Sequence, residues 1–175
     1  EMCIRDRYNI SSKKLKSVIS ESITKLRKSK EKREKPIIDK KVLTAWNALT
    51  VIGMSNAFQS TGEKKFIEKA VDIVSAIEEN LINNDLTLKR SLSISNENIL
   101  FLEDYSYLIS AYLSLYQSTF NYDFIDKADA LSKKAITIFA DKNSSFLKFS
   151  SDQSLLFSEN LFVNKDGVVP SANSV

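Results

Sequence analysis

The side chains of this 175-residue chain that could do chemistry are carboxylates, amides and aromatic rings near the starts of apolar segments. Asp104 is the candidate catalytic group, because a carboxylate can act as a general acid or base. A structural role is equally in keeping with its position, since Asp at a helix start accepts hydrogen bonds from free backbone N–H groups; Glu103 would then be exposed. The candidate binding residues are polar or aromatic: Asp39, Trp46, Asn47, Glu103, Tyr105, Ser171 and Asn173.

Several of these binding candidates also have a simpler structural interpretation. Asp39 is placed to cap a helix that begins at about residue 40. Ser171 and Asn173 are placed to cap a later helix. Trp46, the sole tryptophan, is by itself typical of a core position. The tyrosines that follow Asp104 on the same predicted helix are interpreted as packing residues: Tyr107, Tyr112 and Tyr116.

The composition excludes several catalytic classes within this chain. There is no histidine, so these residues cannot build Ser-His-Asp or Cys-His catalysis or a histidine-ligated metal site. Cys3 is the single cysteine, which also excludes an internal disulfide and a cysteine-ligated metal site. We expect no metal, no cofactor and a reducing, cytoplasmic setting. No apolar run reaches the roughly 18–20 residues of a membrane span and no secretory signal is recognisable, so no membrane association is expected.

Charge is distributed unevenly along the chain. Residues 1–41 hold 14 Lys or Arg against 6 Asp or Glu, whereas the whole chain has a net charge of only +3. The basic cluster at 25–35 is compatible with a nucleic-acid interface. However, Glu31 and Glu34 interrupt it, and no aromatic ring lies within it to stack on bases. A solvated helix end is favoured, and no nucleic-acid partner is expected.

Apolar periodicity predicts an all-α chain. The predicted helices run from Ser11 to just before Pro36, and then over about 40–60, 64–82, 101–118 and 122–140. The second and fourth are apolar on a broad arc, whereas the third and fifth carry one apolar stripe. Partial period-two alternation predicts short extended excursions at 86–94 and 146–162. Residues 1–8 show neither pattern; we interpret them as unstructured and leave open whether they are native.

The sequence repeats internally. Residues 58–70 align without gaps to residues 116–128, with seven of thirteen positions identical at an offset of 58. The identities include a Gln-Ser-Thr turn, which two unrelated amphipathic helices would not readily share. Repeated units of two helices plus an excursion predict a hairpin array, and units this long suit an α/α toroid. Its inner helices would begin at one end, where Asp39, Trp46 and Asn47 would lie near Glu103, Asp104 and Tyr105.

Three motifs resemble one family. Residues 35–49, K-P-I-I-D-K-K-V-L-T-A-W-N-A-L, are similar to the K-P-x-x-D-D-K-V-L-T-x-W-N-G-L signature of the YyaL-type thioredoxin-domain-containing proteins, the spermatogenesis-associated thioredoxin-like family. Residues 101–106, F-L-E-D-Y-S, resemble its F-L-D/E-D-Y-A. Residues 166–175, D-G-V-V-P-S-A-N-S-V, resemble its D-G-A-x-P-S-G-N-S-V. Lys40 replaces the second Asp of the first motif, and Ala48 and Ala172 replace glycines.

The resemblance implies a partial (α/α)6 toroid over residues 9–175, similar to the six-hairpin glycosidase and N-acylglucosamine 2-epimerase folds. It also implies that the chain is a fragment, with a thioredoxin-like domain before it and further hairpins after Val175. Lys40 weakens any two-carboxylate mechanism at that position, because one member of the pair is missing.

Two functions from different classes are open at this point. In the first, the toroid binds or processes a small sugar at the inner-helix N-termini, as an epimerase, isomerase or hydrolase. Asp104 would be its acid/base and Trp46 would stack on a sugar face. The missing histidine counts against this function, because epimerase-like members of such folds rely on that residue. In the second, the toroid is a non-catalytic binding or scaffolding partner of a thioredoxin-like redox domain in cis.

Overall fold

The computed structural model describes residues 7–93, 99–142, 144–152 and 170–175. This part of the chain contains the helices α1 (Ser12–Glu31), α2 (Thr44–Thr61), α3 (Lys64–Leu81), α4 (Leu102–Thr119) and α5 (Asp123–Phe139). The whole chain divides into two compact units: Glu1–Lys40, which contains α1, and Lys41–Val175, which contains α2 to α5. Every predicted helix is confirmed, with ends shifted by a few residues. Within the described ranges, no helix is long and apolar enough to cross a membrane.

In the first unit, α1 begins at a side-chain cap. Ser11 Oγ accepts a hydrogen bond from the Lys14 N–H at 3.3 Å, as expected of a Ser N-cap. Lys28 and Lys30 lie in the last turn, where positive charge interacts favourably with the helix dipole. The helix ends ahead of Pro36, in agreement with the preference of residues before proline for extended backbone.

The start of α2 differs from the sequence prediction. Asp39 is predicted to cap this helix, but its N-cap is Leu43, which makes no side-chain capping bond. The Thr44 N–H instead donates to the Arg90 carbonyl at 3.0 Å. Pairing with a segment distant in sequence therefore satisfies a first-turn N–H that a cap would otherwise bind. The prediction that Asp39 caps this helix is wrong.

The backbone confirms the internal repeat. α2 and α3 form one hairpin, and α4 and α5 form a second. The first helix of each hairpin, α2 or α4, is an inner helix of the toroid and ends at a residue with left-handed backbone. These residues are Gly62 at φ 71° and Phe120 at φ 57°. Their N–H groups donate to the carbonyls of Phe58 and Tyr116, each at 2.7 Å. The same turn closes both hairpins, although only the first carries the glycine that this conformation favours.

Short extended segments lead from each outer helix back to the starts of the inner helices. Isolated antiparallel bridges pair Leu43 with Ser91 and Phe101 with Ser150. The members of these two pairs are offset by 58 and 59 residues, so the repeat includes the excursions. Within the described residues, the predicted excursions are paired through isolated β-bridges and form no longer strands. Ile94 and residues 153–162, which belong to the predicted excursions, lie outside the described residues.

The inner helices α2 and α4 lie side by side and run in the same direction. At their starts, the Ala45 N–H donates to Asp104 Oδ1 at 3.0 Å. Near their ends, Gln59 Nε2 donates to Ser118 Oγ at 2.9 Å. The outer helices pack their apolar stripes against this pair. The buried residues of those stripes are Ala70, Val74, Ile77 and Leu81 of α3, and Phe124, Ala128, Leu131, Ala135 and Phe139 of α5.

Two glycines, one within α2 and one just after it, lead to opposite predictions. A Cβ added at Gly53 or at Gly62 would meet no atom within 4 Å, so a steric clash is expected at neither position. Gly53 lies inside the helix, and Gly53→Ala should raise the free energy of unfolding by about 1 kcal/mol. Gly62 has φ 71°, and Gly62→Ala should lower it by about 1 kcal/mol. Urea unfolding followed by circular dichroism measures both, and shifts of the same sign would contradict this backbone assignment.

Candidate functional site

Asp104 lies in the first turn of α4 and is only 2% exposed. Its Oδ1 accepts the Ala45 N–H at 3.0 Å, and its Oδ2 lies 3.5 Å from Arg90 Nη1. The first N–H groups of a helix have no acceptor within the helix, so this carboxylate caps the neighbouring helix α2. The capping interpretation of Asp104 is therefore supported, with the difference that the capped helix is not its own.

Arg90 connects the first extended segment to the start of α4. Its guanidinium donates to Glu103 at 3.2 Å and to Asp104 at 3.5 Å, and lies 4.4 Å from the centroid of the Phe101 ring. A planar guanidinium can pair with carboxylates and stack on a ring at the same time. The Glu103 side chain is 17% exposed, so the expectation that it is exposed is wrong. Sequence reasoning missed Arg90, because nothing about a basic residue in an excursion indicates these partners.

Tyr105 holds the first extended segment in place. Its buried hydroxyl donates to the Leu86 carbonyl and accepts the Leu88 N–H, both at 3.2 Å. Leu86 has a positive φ of 63°, an unfavourable conformation that these bonds help to maintain. Burial raises the pKa of Tyr105 to about 12, because the phenolate would lose its hydration. The Tyr105 hydroxyl is therefore engaged in the fold as a neutral group.

Trp46 and Asn47 follow Ala45, at the end of α2 that adjoins Asp104. Trp46 is 63% exposed, so its interpretation as a core residue is wrong. Asn47 Nδ2 donates to the Leu43 carbonyl at 2.8 Å, which engages part of this amide in its own helix. The structure thus gathers most of the predicted residues at the adjoining first turns of two helices: Trp46, Asn47, Glu103, Asp104 and Tyr105.

Ser171 and Asn173 lie in the last described segment, which contacts the early part of α4 through a hydrogen bond of 2.9 Å from Ser106 Oγ to the Ala172 carbonyl. The Asn173 side chain accepts the Leu147 N–H at 2.9 Å and donates to the Leu147 carbonyl at 3.0 Å. This amide holds the second extended segment, much as Tyr105 holds the first. Ser171 Oγ accepts the Asn173 N–H at 3.4 Å, a bond typical of an N-cap. Asp39 belongs to the first unit, and residues 166–169 of the third motif lie outside the described residues.

The first turns of α2 and α4 can contribute binding contacts to a small molecule. They present the exposed indole of Trp46 and the partly exposed Arg90–Glu103 ion pair. Asp104, in contrast, is buried behind them with both oxygens engaged, and an acid–base role for it stays a prediction. Among the described residues, no group of three or more Cys, His, Asp or Glu side chains is arranged to hold a metal ion.

Solved structures with a similar fold define a class of architecture. Cellobiose 2-epimerase from Bacillus thermoamylovorans gives a TM-score of 0.58 at 16% identity, covering 64% of this chain and 32% of its own. The GH76 α-mannanase of Bacteroides thetaiotaomicron gives 0.57 at 17% identity, covering 68% and 32%. A D-mannose isomerase gives 0.54 at 17% identity, covering 65% and 31%. The chain is therefore all-α and part of an (α/α)6 toroid of the six-hairpin glycosidase and epimerase type, as predicted.

Sequence relatives extend the comparison to longer proteins. An uncharacterized protein of Caenorhabditis elegans is 29% identical over 177 residues, covering 96% of this chain and 24% of its own length. Spermatogenesis-associated protein 20 of Rattus norvegicus is 25% identical over 184 residues, covering 97% and 23%. The chain thus spans about a quarter of the length of the curated relatives it matches. No family model matches it. A weak homology to spermatogenesis-associated protein 20 is confirmed, and the thioredoxin-domain assignment stays a prediction.

Removal of the Asp104 carboxylate should destabilise the fold far more than removal of its neighbour. Asp104→Ala deprives the buried Ala45 N–H of its acceptor and Arg90 of a buried partner, and should lower the free energy of unfolding by roughly 3 kcal/mol. Glu103→Ala removes one partly buried partner of Arg90, which keeps Asp104 as the other, and should cost about 1 kcal/mol. Urea unfolding measures both variants. Equal losses would show that the Asp104 bonds do not join the inner helices.

Stability should fall at alkaline pH through Tyr105. Its pKa is about 12 in the folded state against an ordinary 10.0, so between these values the unfolded state loses a proton that the native state keeps. This group should therefore reduce the free energy of unfolding by up to about 1.4 kcal/mol per pH unit over that range. Tyr105→Phe should remove this part of the slope in urea unfolding, whereas the exposed-site control Tyr8→Phe should not. If Tyr105→Phe left the pH dependence of the free energy of unfolding unchanged, the raised pKa would not belong to Tyr105.

Proposed function

We propose that the adjoining first turns of α2 and α4 form one wall of a carbohydrate-binding site. The observation that carries this proposal is the exposure of Trp46, 63%, at the end of α2 that Asp104 ties to α4. An indole is a large apolar group and is normally covered in a folded protein. Its flat face offers stacking area for the C–H face of a sugar ring.

Polar groups at the same pair of helix starts as Trp46 complement the stacking surface. Arg90 and Glu103 form a partly exposed ion pair, and charged side chains of this kind can bind sugar hydroxyls. Small-molecule sites commonly combine an apolar or aromatic surface with a few oriented polar groups. Asp104 contributes by holding the two helix starts at a fixed spacing.

Similar folds support the carbohydrate assignment only by analogy. The solved structures with this fold include a cellobiose 2-epimerase, an α-mannanase and a D-mannose isomerase. Because one fold can carry many functions, the proposal depends on the residues at the helix starts. With Asp104 buried, we propose that this part of the chain binds the sugar. An epimerase, isomerase or hydrolase reaction would draw on further groups of the longer protein.

A second candidate function is a non-catalytic toroid that partners a thioredoxin-like domain of the same protein. The engagement of Asp104 in capping favours this candidate over an enzyme, since the carboxylate singled out for acid–base chemistry has a structural role. The absence of histidine from the chain agrees with it. Such a toroid would use the exposed surface around Trp46 for a protein contact, and it would bind no saccharide there.

The single tryptophan makes the sugar proposal directly measurable. Cellobiose, mannobiose or mannose added to the chain should change the Trp46 fluorescence in a saturable way. Trp46→Ala should weaken binding at least about tenfold in calorimetry, the loss of about 1.4 kcal/mol expected from one stacked ring. Trp46→Tyr should keep most of the affinity, and Phe146→Ala serves as a control at another exposed ring. No saccharide response, or equal affinity of Trp46→Ala, would favour the non-catalytic alternative.

A further inference from the structure

A cavity of about 320 Å³ lies between the outer helices α3 and α5. Glu78 lines it from α3, Lys127 lines it from α5, and Tyr112 lines it from the inner helix α4, which contacts both outer helices. A volume of this size is within the range of small-molecule sites. Trp46 does not line this cavity, which is therefore separate from the site proposed to bind a sugar.

An ion pair forms part of the cavity lining. Lys127 Nζ donates to Glu78 Oε1 at 2.7 Å and to Oε2 at 2.8 Å. The hydroxyl of the buried Tyr112 donates to the same Oε1 at 2.9 Å. Burial raises the pKa of Tyr112, and the neighbouring Glu78 carboxylate raises it further, so this hydroxyl keeps the proton that it donates. The ammonium and the carboxylate are therefore held in place before a ligand binds, which reduces the entropy lost on binding.

The repeated fold does not require these polar groups. At an offset of 58, Met54 matches Tyr112 and Ile136 matches Glu78. The same helices therefore form with apolar side chains at the matching positions. A partly exposed ion pair such as that of Glu78 and Lys127 contributes little to stability. A charged pair in place of apolar residues indicates a role other than folding.

The two charges decide which ligand the cavity suits. A ligand that fills the cavity removes water from the side chains of Glu78 and Lys127, which are 27% and 43% exposed. An apolar ligand would replace none of that hydration, and a neutral polar ligand would replace it with hydrogen bonds about half as strong as charge-assisted ones. An anion alone would be repelled by Glu78, and a cation alone by Lys127. A zwitterion satisfies both groups, because its carboxylate accepts from Lys127 and its ammonium donates to Glu78.

The rest of the lining is largely apolar. Ile82 and Leu86 line the cavity after the end of α3, and Ala130 and Leu131 line it from α5. Aliphatic side chains of this kind favour an aliphatic group on the ligand, because contact with it removes apolar surface from water. An α-amino acid combines such a side chain with an ammonium and a carboxylate on one carbon atom.

We propose that the cavity is a binding site for a free α-amino acid with an aliphatic side chain. In calorimetry, L-leucine should bind the chain in a saturable way. Lys127→Met and Glu78→Gln should each weaken this binding at least about tenfold, because each variant removes one charged contact. Lys133→Met is the matched control, since Lys133 is an exposed lysine of α5 that pairs with Asp129 of its own helix.

Analogues of leucine test the same claim without altering the protein, so a variant that does not fold leaves the test intact. Isoamylamine lacks the carboxylate, isocaproate lacks the ammonium, and N-acetyl-leucinamide lacks both charges. Each analogue should bind at least about tenfold more weakly than leucine, because one or both charge-assisted contacts are lost.

The outcomes separate this site from the one proposed at Trp46. Trp46→Ala should leave the leucine affinity unchanged, so failure of the sugar site does not affect this test. Absence of saturable leucine binding would overturn the proposal. It would also be overturned if any of the analogues bound as tightly as leucine, or if folded Lys127→Met and Glu78→Gln both kept the wild-type affinity.

Discussion

One buried carboxylate sets the geometry of the inner helices. Asp104 accepts the Ala45 N–H and lies against Arg90, so a single side chain joins the start of α2, the start of α4 and the first extended segment. A buried carboxylate is stable only when hydrogen bonds and opposite charge replace its hydration. That requirement leaves little freedom in the spacing of the two helix starts. The positions of Trp46 and Glu103 follow from it.

The two hairpins have the same backbone because their sequences repeat. They differ in residue type at a few matching positions, and two of these differences bear on the surface of the protein. Both inner helices begin after a bridge and end in a left-handed residue. At an offset of 58, however, Trp46 matches Asp104, and Gly62 matches Phe120. In the first pair, Asp104 caps α2 whereas Trp46 is exposed; in the second pair, both residues close a hairpin with the same left-handed backbone. Repetition thus supplies the scaffold, and the difference at the position of Asp104 places the exposed indole of Trp46 at the surface proposed to bind a sugar.

Periodicity and the repeat were sufficient to predict the helices and the parallel inner pair, because both depend on local sequence and its recurrence. The start of α2 was not predictable in this way. The Thr44 N–H donates to the Arg90 carbonyl, a group distant in sequence, and Asp39 does not cap the helix. The role of Asp104 as a cap for another helix is likewise a contact between distant segments. Trp46 lies on an apolar arc too broad to indicate which side faces solvent.

The central claim, that Asp104 joins the two inner helices, is tested most directly by hydrogen exchange of the Ala45 amide. First-turn amides of helices normally exchange fast, because they have no acceptor within the helix. Bonded to the buried Asp104, the Ala45 amide should exchange as slowly as the core amide of Leu108. The exposed first-turn amide of Lys65 in α3 should exchange orders of magnitude faster. Exchange of Ala45 as fast as that of Lys65 would contradict the account.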